Sequence, residues 1–434
     1  MNTIPQIAEA MQVTLTDRAD ELGKELGFIR RLRKLSGSKF IQTLVFGVQA
    51  KPNATYEDLS QSAATLGVAI SPQGLEERFT ETAAHLVQAV LACAVEQVIT
   101  SQPAAIPILQ QFEGVYLRDS SVISLPTELA EIWPGVGNSC GSTAALKLQV
   151  DLNISTGQLD GPVLQNGRAQ DQTSPFQHRE LPVGALHLAD LGYFSLERLA
   201  QDNERGVYWL TRLKTGTAVY TPAGQRLQLS SWLKAQGAEV LDCPVLVGAQ
   251  KRLACRLLAE RVPQEVAEQR RRRLRDYARK KQVALKAETL ALAEWTLVLT
   301  NVPEERLSLQ EALILMRVRW QVELLFKVWK SCLQVDEWRS HNPWRILCEI
   351  YAKLIGAVIL NWVCLTGFWA RPNRSLFKAA SVVQKYAVAL ALALPNRETL
   401  ISVLTSLEAC LVATCRVNRR RKHPSTYQLL LDAP

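Results

Sequence analysis

The spacing of hydrophobic side chains changes twice along the chain. Up to about residue 108 apolar positions recur every three or four residues, as at Leu59 and Ala63, which is the period of helices. From about residue 113 apolar residues alternate or form short runs typical of strands. The helical period returns at Ser308 and continues to about residue 415. The pattern predicts an α/β protein with a strand-rich middle and helical flanks.

The N-terminal region contains a candidate helix-turn-helix. Gly67 permits a sharp turn after a first helix, and Ser71 followed by Pro72 is a typical start for a second one. An ordinary helical hairpin leaves the same pattern, so both interpretations stay open. Glu76 and Glu77 lie on the second helix and are unfavourable against DNA.

The middle of the chain is predicted to hold short strands, with a helix over 195–201 and a long polar helix before the last strand. The predicted strands cover 114–123, 145–153, 161–165, 185–190, 206–214, 218–220, 226–229, 239–247, 253–259 and 295–301.

Three carboxylates stand out by their position. Asp119 lies within an apolar strand, Asp190 ends another, and Glu323 lies on a predicted helix among apolar residues. A buried acid is costly unless it is paired or holds a cation, and three converging acids can hold two divalent metals. Taken singly, a strand-end Asp is more often a turn or cap residue. The combination of three favours the metal interpretation.

The helix that carries Glu323 also carries cations. Arg319, Glu323 and Lys327 follow at steps of four and Lys330 comes three later, so a continuous helix presents all four on one face. A salt-bridged face is one explanation. A metal-binding carboxylate beside cations that grip phosphate is the other.

The charge of the whole chain suits a polyanionic partner without identifying one. The 50 Lys and Arg against 41 Asp and Glu give a net charge of +9. Residues 270–281 contain six Arg and two Lys with one acid, Asp276, which favours contact with a polyanion. A second basic run, 416–422, forms a tail, for which DNA contact and an ordinary basic terminus both stay open.

The nine cysteines form no CxxC pair and no Cys/His cluster, which predicts reduced thiols in a cytosolic protein. The apolar stretch 354–369 is too short for a membrane helix and is predicted to be a buried core helix. No secretory signal pattern is visible at the N-terminus. These features predict a cytoplasmic protein without a membrane partner.

The order strand-Asp, strand, strand, strand-Asp-helix and late helix-Glu resembles the ribonuclease H-like core of DDE transposases. The chain resembles more closely the prokaryotic insertion-sequence-four family, whose pattern is Tyr-x2-Arg-x3-Glu-x6-Lys. Arg319, Glu323 and Lys330 match that pattern, while Met316 stands at the Tyr position, so a role for that hydroxyl does not carry over. The resemblance covers roughly residues 20 to 422.

The resemblance implies a DDE transposase that binds transposon ends, cuts DNA by two-metal phosphodiester hydrolysis and joins the 3′-OH ends to target DNA. Asp119, Asp190 and Glu323 would be catalytic and would hold Mg²⁺, with Mn²⁺ as a substitute. Expected DNA contacts are Arg319, Lys330, Lys327, Arg212, Lys214, Arg271, Arg272, Arg273 and Arg275.

The implied partners are double-stranded DNA with terminal inverted repeats and target DNA, bound by a homodimer in a nucleoid-associated prokaryotic protein. The expected fold is a ribonuclease H-like core with a β-rich insertion, flanked by helical N- and C-terminal regions. The expected domains are a helical DNA-binding region at 1–108, the first part of the core at 109–206, the β-rich insertion with its polybasic helix at 207–294, the catalytic helix of the core at 295–345, and a helical C-terminal region with the basic tail at 346–434.

Two rival functions stay open at this point. One is a catalytically inactive, transposase-derived DNA-binding regulator, against which the three intact acids argue. The other is a metal-dependent nuclease of the same fold that performs no strand transfer.

Overall fold

A computed structural model describes residues 3–31, 35–137, 143–371, 373–418, 420 and 424–432. Cys140 and the tail residues Arg419, Arg421 and Lys422 lie outside the described residues. The eight described cysteines form no disulfide with one another, in agreement with the predicted reduced thiols.

The regular elements described between residues 3 and 110 are all helices, as predicted. Ser71 caps its helix by accepting a hydrogen bond from the Gly74 backbone N–H at 3.1 Å, and Pro72 is the first helical residue. The elements are α1 (Thr3–Gln12), a π-helical turn (Val13–Asp17), α2 (Arg18–Glu25), α3 (Gly37–Ala50), α4 (Tyr56–Thr65), α5 (Pro72–Glu76), α6 (Glu81–Glu96) and α7 (Pro107–Gln110).

The second helix of the candidate helix-turn-helix is short. Helix α5 has five residues, little more than one turn, and Leu75 is its buried residue. Its DNA-reading role stays a prediction.

Strands and helices alternate in the middle of the chain. The strands are β1 (Val115–Leu125), β2 (Ala144–Asn153), β3 (Leu159–Asn166), β4 (Leu186–Ala189), β5 (Tyr208–Arg212), β6 (Val219–Tyr220), β7 (Val240–Val247), β8 (Leu253–Arg261) and β9 (Trp295–Thr300). The helices among them are α8 (Leu196–Glu204), α9 (Leu229–Gln236), α10 (Gln264–Lys281) and α11 (Ala287–Ala291).

One predicted strand, 226–229, is wrong. Arg226 forms an isolated bridge with Tyr220, and helix α9 begins at Leu229. Leu229 and Leu233 lie one helical turn apart and are both buried in a core cluster of this region. Tertiary burial of this helical pair explains why a strand does not form. Trp232 packs partly buried against the same cluster.

The rest of the chain is helical, as predicted. The helices are α12 (Leu309–Val318), α13 (Trp320–Cys332), α14 (Pro343–Cys364), α15 (Leu376–Ala393), α16 (Arg397–Thr414) and α17 (Thr426–Leu431). By length and composition α14 and α15 could each cross a membrane, but the most apolar window of α14 is wholly buried inside the protein. The predicted burial of residues 354–369 is confirmed for all but Gly367.

The predicted single helix over 317–330 is divided in two. Helix α12 ends at Val318, α13 begins at Trp320, and Arg319 lies at the junction with φ −49° and ψ −31°. Because these angles stay in the right-handed helical region, only the hydrogen-bond pattern is interrupted there. The prediction of one uninterrupted helix through Arg319 is therefore wrong, whereas Glu323, Lys327 and Lys330 lie together on α13 as expected.

The chain forms two compact units. Unit 1 contains residues 1–110, 119–169 and 320–431, and unit 2 contains 111–118, 170–319 and 432–434. Both units therefore combine segments that are distant in sequence. The five domains expected from the sequence stay a prediction.

Unit 2 is built on a mixed sheet with the strand order β1-β4-β5-β9-β8-β7-β6, in which β1 contributes its first residues. Strands β1, β4 and β5 are parallel, and β9, β8, β7 and β6 continue the sheet in antiparallel pairs. Parallel strands need crossover connections, which here include α8 between β4 and β5.

Unit 1 combines the later residues of β1 with β2, β3 and most of the helices. Strands β2 and β3 pair in antiparallel register and are joined by a turn at Gly157, which has a φ of +76°. A Cβ on Gly157 would lie 2.5 Å from the Trp369 ring, so both space and backbone conformation favour glycine there. Helix α14 forms the buried centre of this unit.

Candidate active site

The first two predicted acids each directly follow one member of a residue pair in the parallel strands β1 and β4. Strands β1 and β4 are parallel, and Arg118 of β1 pairs with Ala189 of β4. Asp119 and Asp190 are the next residues along each chain. The acids therefore follow directly from a register pair in a parallel sheet. This observation agrees with the strand positions predicted for both acids.

Asp119 lies where β1 changes from buried to partly exposed. The preceding residues Val115 to Arg118 are buried, and Asp119 itself is half-buried. The Ser120 backbone N–H donates a hydrogen bond to the Asp119 Oδ1 at 2.8 Å. The local sequence thus places a carboxylate where an apolar strand reaches solvent.

Asp190 begins a tight turn after β4. The Tyr193 backbone N–H donates to the Asp190 carbonyl oxygen at 3.0 Å, and the Asp190 side chain makes no capping hydrogen bond in this turn. A Cβ at Gly192 would lie 2.5 Å from the Asp171 Oδ2, so a larger residue there would displace the Asp171 carboxylate. The turn holds the Asp190 side chain half exposed, at 50%.

Arg319 lies beside Asp190. Its guanidinium Nη2 is 3.8 Å from the Asp190 Oδ1, and its side chain is only 10% exposed. Arg319, at the junction between α12 and α13, thus places a buried cation next to the half-exposed Asp190 carboxylate. Met316, at the position where the family pattern has Tyr, is buried.

Glu323 and the two lysines lie on α13. Gln321, Val322, Leu325, Phe326, Val328 and Trp329 are buried, and Glu323 is half-buried. The Lys330 Nζ donates a hydrogen bond to the Val122 carbonyl oxygen of β1 at 3.0 Å. The exposed Lys327 has its Nζ 6.0 Å from the centre of the Trp320 ring. Within unit 1, α13 therefore contacts the strand that carries Asp119.

In the described part of the chain, no three His, Cys, Asp or Glu side chains are grouped closely enough to hold a metal ion. The three predicted acids nevertheless supply carboxylate oxygens, which are the ligands that Mg²⁺ and Mn²⁺ prefer. The donor chemistry therefore fits such an ion.

A buried polar network lies behind the Asp190 turn. Asp202 of α8 is fully buried, 3.0 Å from the Arg198 Nη2 and 4.0 Å from the His187 Nδ1. Burial raises the pKa of Asp202, and the cations Arg198, Arg118 and Arg205 oppose that rise. His187 is buried within this network.

The cations of α10 fall into two sets, those bonded within the protein and those exposed to solvent. Arg270 donates to the Trp295 carbonyl oxygen at 2.9 Å, and Arg271 forms an ion pair with Glu294. Burial and the nearby like charge of Arg212 lower the pKa of Arg270. The other cations are exposed to solvent: Arg272, Arg273, Arg275, Arg279, Lys280 and Lys281, together with the predicted DNA contacts Arg212 and Lys214.

Sequence reasoning missed the side chains that hold the Asp190 turn. Gln177 and Arg198 lie in the buried network, and neither follows a recognisable motif. Arg118 did carry a signal, because a charged residue within an otherwise apolar strand requires a buried partner.

The sequence of the chain is similar to those of known proteins. The profile of a family described as "Transposase DDE domain" matches residues 110–360, more than half of the chain. The chain belongs to this transposase family. Its members are metal-dependent enzymes that cut and join DNA, and this DDE transposase performs that chemistry on DNA with divalent metal ions.

Curated relatives match over nearly the whole length of the chain. The transposase for insertion sequence element IS231F of Bacillus thuringiensis subsp. israelensis is 26% identical over 98% of this chain and 94% of its own length. The transposase for IS231C of Bacillus thuringiensis subsp. berliner is 27% identical, covering 95% of this chain and 91% of its own. The transposase for IS1151 of Clostridium perfringens is 23% identical, covering 80% and 78%. This DDE transposase is therefore similar to insertion-sequence transposases along most of its length.

Proposed function

We propose that this DDE transposase is of the insertion-sequence-four type and that Asp119, Asp190 and Glu323 are its catalytic acids. The observation that carries the proposal is the register of β1 and β4, because Asp119 and Asp190 directly follow the pair Arg118 and Ala189. The parallel strands β1, β4 and β5 are consistent with a ribonuclease H-like core, and β6 to β8 with α10 with the inserted β-rich region.

The three carboxylates would hold two Mg²⁺ ions, or Mn²⁺ in their place. Such ions, when bound, activate the attacking oxygen and stabilise the leaving oxygen of a phosphodiester. The carboxylate oxygens of the three acids would hold these ions at the scissile phosphate. The same acids then serve the later step, in which the 3′-OH of the cut end attacks target DNA.

The cations beside the acids would bind DNA phosphates. Arg319 offers a planar fork that suits two phosphate oxygens, whereas Lys330 and Lys327 offer point charges on α13. The Arg319 ion pair with Asp190 supports a position close to the cut phosphate. The predicted contacts farther along the chain are Arg212, Lys214, Arg271, Arg272, Arg273 and Arg275.

Contacts with the DNA phosphate backbone are best supported for the exposed side chains of α10 and β5. Arg272, Arg273 and Arg275 are exposed, as is Arg212, so each could approach a phosphate without breaking an internal bond. Arg271 would first have to leave Glu294. The partners of the proposed enzyme are terminal inverted repeats and target DNA, bound by a homodimer in the nucleoid of the cytoplasm.

The test uses labelled DNA that carries the ends of the element. Wild type in Mg²⁺ or Mn²⁺ is expected to cut at the repeat boundary and to join the cut ends to a plasmid. End binding without cutting would favour the inactive regulator. Cutting without joining and without preference for the ends would favour a simple nuclease.

A further inference from the structure

We propose that Gln177 is a positioning residue for Asp190, acting through the turn that follows β4. The inference rests on the proposed function, since it concerns the metal-binding carboxylate assigned there. Gln177 is buried, with 6% of its surface exposed, and lies in a short 3₁₀ helix at Pro175–His178.

The Gln177 amide connects two groups that need opposite partners. Its Oε1 accepts from the Arg118 Nη1 at 3.0 Å, and its Nε2 donates to the Tyr193 carbonyl oxygen at 3.1 Å. Arginine only donates and a carbonyl only accepts, so the network itself defines the orientation of the amide. A buried side chain with both bonds made has one preferred position.

Arg118 is linked to the chain on both sides of Asp190, once through its backbone and once through the Gln177 amide. Its backbone pairs with Ala189, the residue before Asp190, and its guanidinium reaches Tyr193 through Gln177, three residues after Asp190. The Asp190 carboxylate therefore lies between two fixed points, Ala189 and Tyr193, and both depend on Arg118. That strand residue directly precedes Asp119.

The 3₁₀ helix that presents Gln177 is itself held in place. The Arg198 Nη1 donates to the Gln177 carbonyl oxygen at 2.5 Å and its Nη2 to the Arg179 carbonyl oxygen at 2.8 Å. Arg198 is in turn paired with the buried Asp202. A second glutamine, Gln172, donates through its Nε2 to the Phe194 carbonyl oxygen at 3.1 Å, so both carbonyls at the end of the turn are bound.

Groups that orient a metal ligand without touching the metal affect its affinity. Loss of such a partner usually weakens metal binding or activity by about 10- to 100-fold. Gln177→Glu is the sharpest variant, because an ionised carboxylate keeps the bond from Arg118 and cannot donate to Tyr193. We expect Mn²⁺ to bind this variant about tenfold more weakly than wild type.

The experiment measures Mn²⁺ binding to the full chain by electron paramagnetic resonance, with thermal melting as a check of folding. The variants are Gln177→Glu, Gln177→Met, Asp190→Asn and the control His178→Ala, which changes an exposed residue of the same 3₁₀ helix. Gln177→Met also lacks the donor and introduces no charge, so it replaces Gln177→Glu if that variant does not fold.

The outcomes separate this inference from the function on which it rests. Weaker Mn²⁺ binding by a folded Gln177 variant and by Asp190→Asn, with His178→Ala like wild type, supports the inference. Weaker binding by Asp190→Asn alone overturns the role of Gln177 and leaves the proposed function standing. Unchanged binding by Asp190→Asn overturns both.

Discussion

Asp190 and Asp202 are twelve residues apart in the same unit and have opposite surroundings. Asp202 is fully buried between Arg198 and His187, whereas the Asp190 side chain is 50% exposed with Arg319 at 3.8 Å. A buried ion pair keeps both charges away from solvent, and removing one partner destabilises the fold. A carboxylate that remains accessible can exchange its partner for a metal or a substrate. Accessibility, and not the presence of a cation alone, therefore separates the proposed catalytic acid from the structural one.

The largest expected effect is on catalysis. Asp190→Asn should lower the rate of DNA end cutting by about a thousandfold, because a lost metal ligand removes several kcal/mol of transition-state stabilisation. Its melting temperature should stay close to that of wild type, since the side chain is half exposed. Gel assays of labelled ends and thermal melting measure both. DNA cutting by Asp190→Asn at the wild-type rate would contradict a catalytic role for Asp190.

Asp202→Ala should show the reverse pattern. It leaves the buried Arg198 without its carboxylate, which should lower the free energy of unfolding by about 3–5 kcal/mol. Urea denaturation measures the change. The control is Glu197→Ala, which removes an exposed acid from the same helix and should change stability by about 0.5 kcal/mol or less. Equal effects of the two variants would contradict a structural role for Asp202.

The same distinction between accessible and enclosed charge applies to α10. Replacing the exposed Arg272 and Arg275 together by Ala should reduce the slope of log affinity against log salt by roughly 2, about 0.9 for each lost phosphate contact. Fluorescence anisotropy with duplex DNA at several salt concentrations measures this slope. Arg397→Ala is the control, because Arg397 is also exposed and lies outside the proposed surface. A slope that the double variant leaves unchanged would count against α10 as a DNA contact.

The smallest expected effect concerns pH. Burial raises the pKa of Asp202 above its unfolded value of about 3.9, so the folded state favours the protonated acid. The part of the stability that comes from this pKa shift is thus fully present below the unfolded pKa and is lost as the pH rises through the folded one. The stability of wild type relative to Asp202→Asn should therefore shrink as the pH rises from below about 4. A difference that grows with pH would show that the Arg198 attraction outweighs burial.

Local patterns predicted the positions of the acids well and the long-range contacts poorly. Asp119 and Asp190 lie at strand positions as expected, because alternation and turn residues are visible within a few residues. The hydrogen bond from Arg118 to Gln177 joins residues 59 apart, and no local pattern records it. The interruption at Arg319 was also missed, since both sides of it have helical spacing.

The metal-binding role of the three acids can be tested directly by replacing Mg²⁺ with Fe²⁺. With ascorbate and peroxide, bound Fe²⁺ generates radicals that cut the polypeptide near the metal, and mass spectrometry maps the cuts. We expect cuts close to residues 119, 190 and 323. Mg²⁺ should suppress these cuts, and Glu323→Gln should weaken them at all three positions. Cuts elsewhere in the chain, or cuts that Glu323→Gln leaves unchanged, would contradict this metal-binding role.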